Sequence, residues 1–137
     1  DRDFEAFVWY MRALELSPDS YEVHNNLGLA LVELGARERA LRHFNRALQV
    51  DPDRVEAYTN LGLFLLKDGR LEEGVDFFSV VIERHPDQVE AYANLGSIRE
   101  AQGNNQEAIR IYRQALEQSP DYDPVRQSLD RLLDTEN

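Results

Sequence analysis

The side chains of this sequence that could do chemistry are carboxylates, asparagines and three histidines, and their spacing disfavours a catalytic or metal centre. His24, His43 and His85 do not form the i, i+4 pair with a third ligand that a helical metal site uses. No serine or threonine stands in a nucleophile turn, and no glycine-rich phosphate loop is present. The aspartates near Asp51 and Asp121 lack the closing glutamate of a calcium loop. The sequence therefore predicts no enzyme activity, no metal and no cofactor.

Asparagine is the residue that recurs with the most useful chemistry. Asn26, Asn60 and Asn94 lie 34 residues apart, each followed by Leu-Gly. An asparagine amide can donate to and accept from a peptide backbone, so a row of them can hold an extended chain. The alternative is that each asparagine satisfies a local backbone group. Whether the asparagines bind a partner or a local backbone group depends on the secondary-structure elements in which they lie.

Those elements repeat. Prolines recur with the same period of 34 residues at Pro18, Pro52, Pro86 and Pro120. A fixed period of this length is typical of a solenoid. Each unit opens on Asp-x-x-Glu, as in Asp19 to Glu22, which predicts an aspartate N-cap with a glutamate that reaches back. Glycines at 35, 69 and 103 predict helix ends. First helices are expected near 21–34, 55–68 and 89–102, and second helices near 37–50, 71–84 and 105–118.

Apolar residues within each pair fall at helical spacing, and small residues at Gly28, Gly62 and Gly96 predict close helix approach. These residue types and their period resemble the tetratricopeptide repeat (TPR), a helix-turn-helix unit of 34 residues. The resemblance implies an all-α fold, a right-handed α–α superhelix of antiparallel helix pairs. It places full repeats at 21–54, 55–88 and 89–122, the second helix of a truncated repeat at 1–20, and a capping helix at 123–137. Arg99 departs from the family's tyrosine, and a buried arginine would need a partner.

The resemblance also implies a site, because first helices of the family line a concave face where partner peptides lie. The asparagine row is similar to one in the superhelix of O-linked N-acetylglucosamine transferases. Asn60→Ala is accordingly expected to weaken binding with little loss of stability. The partner-binding residues implied by this mapping are Asn25, Asn26, Leu29, Thr59, Asn60, Leu63, Leu66, Asn94 and Ser97.

The glutamates of the same face, Glu22, Glu56 and Glu90, serve either as helix caps or as an acidic lining for a basic peptide. They predict that the groove does not bind acidic C-terminal tails. A second surface is predicted on the first helix, where Phe4, Val8 and Met11 share one face. They stand where other repeats carry polar groups, so we expect an interface there, covered either by chain upstream of Asp1 or by a second copy through self-association. The alternative is that the stripe is ordinary solenoid core.

At the other end, Asp130 occupies the slot of Gly28 and Gly96, which predicts that residues 123–134 form an end cap. The chain has 137 residues, a net charge of −11 and no cysteine. This charge disfavours nucleic acid and anionic membranes as partners, and a cytoplasmic location is expected. The chain starts inside a repeat, so a fragment of a longer protein is expected.

The function predicted is a protein-interaction scaffold that holds a protein or peptide, basic or apolar, in its groove. The alternatives are a regulatory or substrate-recruiting arm of a larger enzyme, and a self-assembly module.

Overall fold

A computed structural model describes residues 2–136, with side chains for residues 2–135. The ends of the predicted terminal segments, Asp1 and Asn137, lie outside the described residues. Within the described part the chain forms eight α-helices. They are α1 Arg2–Leu16, α2 Tyr21–Glu33, α3 Arg37–Val50, α4 Val55–Lys67, α5 Leu71–Arg84, α6 Val89–Ala101, α7 Asn105–Gln118 and α8 Asp123–Glu136. The predicted first and second helices are confirmed, with ends that agree to within a residue.

Glycine ends the first helices as predicted. Gly35, Gly69 and Gly103 have φ of 73°, 71° and 77°, a left-handed conformation that disfavours a side chain. Ala36 N–H reaches back to the Leu31 carbonyl oxygen at 2.8 Å. This bond satisfies a carbonyl that the helix end leaves unpaired.

The predicted aspartate N-caps are wrong at Asp19 and Asp87. The N-cap of α2 is Ser20, whose Oγ accepts from the Val23 N–H at 3.3 Å, and the N-cap of α6 is Gln88, which makes no side-chain cap bond. Asp19 instead forms an ion pair with Arg46 of α3. The aspartates stand one residue too early for the cap, because the helices begin at Tyr21 and Val89.

The chain divides into two compact units with the boundary between Phe64 and Leu65, inside α4. In the N-terminal unit, residues 2–64, α2 packs against both α1 and α3. A Cβ placed on Gly28 would lie 2.6 Å from Cε1 of the buried Phe44. The predicted close approach of α2 and α3 is thus confirmed, and it requires glycine at this position.

In the C-terminal unit, residues 65–136, α5, α6, α7 and α8 pack in succession. A Cβ on Gly96 would lie 2.2 Å from Cε1 of Tyr112. Tyr112 is fully buried, and its hydroxyl donates to Glu100 Oε1 at 2.6 Å. Burial, together with this bond to a carboxylate, raises the pKa of Tyr112 to about 12. The slot equivalent to Gly96 in α8 carries the exposed Asp130.

Arg99 has the partners that its position demands. Its Nη1 donates to Gln102 Oε1 at 2.9 Å, and its Nε lies 3.4 Å from Glu107 Oε2. The Nε is buried and makes no hydrogen bond within the described residues. The ion pair with Glu107 therefore compensates its burial through charge rather than through hydrogen-bond geometry.

Candidate functional site

Two of the predicted partner-binding asparagines are bonded to each other. Asn60 of α4 donates from Nδ2 to Oδ1 of Asn25 of α2 at 3.0 Å, and Asn25 is only 8% exposed. Truncating Asn60 would leave a buried acceptor unpaired, which costs about 1–3 kcal/mol. This bond leads us to expect a loss of stability for Asn60→Ala, in place of the small effect predicted from the sequence. Part of the amide capacity of this pair holds α2 and α4 together.

Around this pair, α2 and α4 present apolar and polar groups to solvent. Leu29 is 41% exposed and Leu63 is 60% exposed, whereas the neighbouring core residues Leu27 and Leu61 are fully buried. We call this the α2–α4 surface. It consists of Asn26, Leu29, Thr59, Asn60 and Leu63, which are half-buried or exposed.

The start of α4 is capped by a tyrosine from α2. The Tyr21 hydroxyl accepts from the Ala57 N–H at 2.8 Å, in a buried position. Arg54 lies over the Tyr21 ring, 4.1 Å from its centroid, and pairs with Glu22. A hydrogen bond to its own backbone N–H and the bond from Arg54 lower the pKa of Glu22. Sequence reasoning assigned Glu22 to a cap or a lining and missed the role of Tyr21.

The remaining predicted residues of the groove belong to the C-terminal unit. Leu66, Asn94 and Ser97 are all half-buried. The Ser97 hydroxyl lies 3.2 Å from the Tyr112 hydroxyl, so part of its hydrogen-bonding capacity is used inside the unit.

An open pocket of about 240 Å³ lies between α1 and α2. Its walls come from one stripe of each helix, and its lining includes two residues of the α2–α4 surface, Asn26 and Leu29. The pocket was not predicted, because its position depends on which stripe of α1 faces α2. We call it the α1–α2 pocket. It is lined by Asp3, Ala6, Tyr10, Asn26, Leu29, Ala30 and Glu33.

The predicted apolar stripe of α1 is largely in solvent. Phe4 is 56% exposed, Met11 is 38% exposed and Val8 is half-buried. Trp9 adds a side chain that is 70% exposed. Phe7 is more covered, with the Arg39 guanidinium 5.2 Å from its ring centroid. Helix α1 therefore leaves the aromatic side chains of Phe4 and Trp9 largely uncovered when it packs on α2.

Two histidines meet in the core of the N-terminal unit. His24 Nε2 lies 2.9 Å from the Pro18 carbonyl oxygen, and His24 Nδ1 lies 3.0 Å from His43 Nδ1. Because a carbonyl can only accept, His24 in its neutral form carries its hydrogen on Nε2. Its Nδ1 is then an acceptor, and the Nδ1–H of His43 donates to that atom. Burial, with smaller effects from His24, Arg39 and Arg42, lowers the pKa of His43 to about 4. His24 is buried, 6% exposed, and both of its ring nitrogens have a partner.

Across residues 2–136, no helix combines the length and the apolar character that a membrane span requires. In the same part of the chain, no group of three or more histidine, aspartate or glutamate side chains is placed to hold a metal ion.

Several solved structures have a similar arrangement of helices. MamA is 21% identical with a TM-score of 0.70, and the match covers 95% of this chain and 76% of MamA. YrrB, described as a TPR protein with an unusual peptide-binding site, is 25% identical with a TM-score of 0.69, covering 93% of this chain and 66% of YrrB. PilF of Pseudomonas aeruginosa is 22% identical with a TM-score of 0.75, covering 98% of this chain and 62% of PilF.

Family models agree with these structures along the chain. Among curated proteins, no relative of this chain is found. Models of the tetratricopeptide repeat match residues 25–88 and 91–125, and a TPR repeat model matches residues 5–35. With the eight helices, the glycine ends and the buried aromatic contacts at Gly28 and Gly96, these matches confirm the all-α solenoid fold. The chain belongs to the tetratricopeptide repeat family.

Proposed function

We propose that this chain binds a segment of a partner protein along the α2–α4 surface. The observation that carries the proposal is the exposure of Leu29 and Leu63 beside the amides of Asn26 and Asn60 on two consecutive first helices. Covering leucines of this exposure with a partner makes the free energy of binding more favourable. The amides can bond to the backbone of the bound segment.

The family supports an interaction module, since tetratricopeptide repeats are generally non-catalytic scaffolds. YrrB, a structural neighbour, is described as having a peptide-binding site. The division of the chain into repeats, and the roles of Leu66, Asn94 and Ser97 as partner contacts, remain predictions. A role as the recruiting arm of a larger enzyme uses the same surface and is compatible with the proposal.

The experiment is a selection of peptides from a random displayed library on the purified chain. Selected peptides are then titrated by calorimetry against the wild type, Leu63→Ser and Val80→Ser. Leu63→Ser should weaken binding by about fivefold to tenfold, because the 60% of Leu63 that is exposed can contribute about 1–1.5 kcal/mol when a partner covers it. Val80, exposed on α5 of the C-terminal unit, supplies the control and should leave affinity unchanged. Equal affinities for all three proteins would contradict the proposal.

A second candidate is self-association through α1, favoured by the exposure of Phe4, Trp9 and Met11. Exposed apolar patches of this kind usually mark an interface. Sedimentation velocity over a range of concentrations tests it, with Phe4→Glu and Val8→Glu as disrupting variants. Wild type should associate and the variants should not. A wild type that stays monomeric would remove this candidate.

A further inference from the structure

The α1–α2 pocket has a chemistry different from the rest of the α2–α4 surface. Its lining combines the apolar residues Ala6 and Leu29 with the aromatic Tyr10 and with two acidic residues, Asp3 and Glu33. The two alanines of its lining are short, which leaves room between the helices. A lining of apolar and acidic residues suits one kind of side chain, a long aliphatic stem that ends in a cation.

The size of the pocket supports a side chain rather than a free small molecule. Its volume of about 240 Å³ is below the roughly 300–1,000 Å³ that small-molecule sites occupy. It is also open to solvent, so a charged head group can stay hydrated while its stem covers Leu29. A lysine or arginine uses its two parts in this way at protein surfaces.

The charges point in the same direction. Glu33 is exposed, and no ion pair or side-chain hydrogen bond joins it to another of residues 2–135. Asp3, in contrast, already interacts with another group of the chain. Glu33 is therefore the main anchor for a cation. The net charge of −11 adds a long-range attraction for basic partners. Tyr10 is also in the lining, and an aromatic ring attracts a guanidinium or ammonium that lies over its face.

We propose that the α1–α2 pocket binds a lysine or arginine side chain of the segment that lies on the α2–α4 surface. This inference rests on the proposed function and deepens it, because Asn26 and Leu29 belong to both. The pocket then fixes the register of the segment by taking one cationic residue. The α2–α4 surface supplies apolar and amide contacts that do not depend on charge.

The test uses single residues as probes, so that it does not depend on an identified partner. N-acetyl-lysine and N-acetyl-arginine methylamides are titrated into the isotope-labelled full chain and followed by amide chemical shifts. Saturable shifts are expected at Asn26, Leu29 and Glu33. N-acetyl-norleucine methylamide, which has a similar stem without the cation, should bind several-fold more weakly, and the glutamate analogue should not bind.

Matched charge variants complete the test. Glu33→Gln should lower the affinity for the lysine probe by up to about fivefold, the range of an exposed ion pair, and leave that for norleucine unchanged. Glu83→Gln removes the same charge from α5 of the C-terminal unit and should have no effect. Equal affinities for lysine and norleucine, or shifts confined to other residues, would overturn the proposal. So would self-association through the pocket, seen as dimerisation that Glu33→Gln alters.

The outcome is separable from that of the proposed function. If Leu63→Ser weakens the selected peptides while the lysine probe fails, the surface binds a partner without a cationic anchor. If the lysine probe binds at the pocket while Leu63→Ser changes nothing, the pocket exists and the α2–α4 surface is not the site.

Discussion

At the scale of single residues, Tyr21 of the N-terminal unit combines a role in the core with a role as a helix cap. Its ring is buried and lies under Arg54, and its hydroxyl caps the start of the next first helix at Ala57. Burial raises the pKa of Tyr21, so the hydroxyl keeps its proton at physiological pH. The cap therefore does not depend on pH near neutrality.

Tyr21→Phe removes this cap and keeps the ring. The buried Ala57 N–H then lacks a partner, which should lower the free energy of unfolding by about 1–3 kcal/mol. Chemical denaturation measures the change. Tyr92→Phe is the control, because the Tyr92 side chain is buried and makes no hydrogen bond within the described residues. Equal effects of the two substitutions would show that the hydroxyl of Tyr21 does not stabilise α4.

His43 predicts a pH dependence of stability. Its pKa of about 4 in the folded chain lies below the usual 6.5, so the unfolded chain binds more protons between these values. The contribution of neutral His43 is complete above pH 6.5 and is lost as the pH falls toward 4. The shift corresponds to at most about 3 kcal/mol.

The measurement compares wild type with His43→Asn by denaturation at several pH values. The difference in unfolding free energy should be constant near neutrality and should shrink as the pH falls from 6.5 to 4. The comparison cancels the carboxylates, which titrate in both proteins. A difference that does not change with pH would mean that His43 keeps its usual pKa.

At the scale of helices, the glycines and prolines that flank each helix made its first and last residues predictable. Glycine and proline act on the backbone near them, so the ends at Gly35, Gly69 and Gly103 could be predicted from the sequence. The N-caps could not, because Ser20 and Asp19 are adjacent and only the first helical residue decides between them. Contacts between helices could be predicted where a small residue recurs, as at Gly28. They could not be predicted where a single tyrosine or histidine contacts a residue far away in the sequence.

The same limit applies to the candidate site. Exposure of Leu29 and Leu63 was predicted, because the family places these positions on an open face. The bond between Asn25 and Asn60 depends on side-chain direction, which a row of asparagines does not reveal. The α1–α2 pocket depends on two stripes that only packing brings together.

Gly28→Ala tests the helix approach directly. The added Cβ would lie 2.6 Å from Phe44 Cε1, so either the ring or the helix must move. We expect a loss of about 1–3 kcal/mol in unfolding free energy, as for other overpacked cores. Phe44→Leu should relieve part of that loss in the double variant. Additive losses would mean that the two positions do not compete for the same space.

At the scale of the whole molecule, the net negative charge affects the stability of the fold. A net charge of −11 on 137 residues makes the folded chain repel itself, and salt screens that repulsion. Raising NaCl from about 0.01 M to about 0.3 M should increase Tm by a few degrees. A fall in Tm would show that ion pairs such as Arg54–Glu22 and Arg46–Asp19 contribute more than self-repulsion removes.

Asp130 limits what any assembly of this chain can become. In α2 and α6 the equivalent position is a glycine against which an aromatic ring lies, and Asp130 brings a carboxylate to that spot on α8. A helix that carries such a ring cannot settle there, so copies cannot add to this face by repeating the internal stacking. Growth into an open fibre needs a new contact at both faces of each copy. If two copies associate through α1 alone, with the same face on both, the product is a closed pair, and Asp130 disfavours extending it at α8 by the packing seen inside the chain.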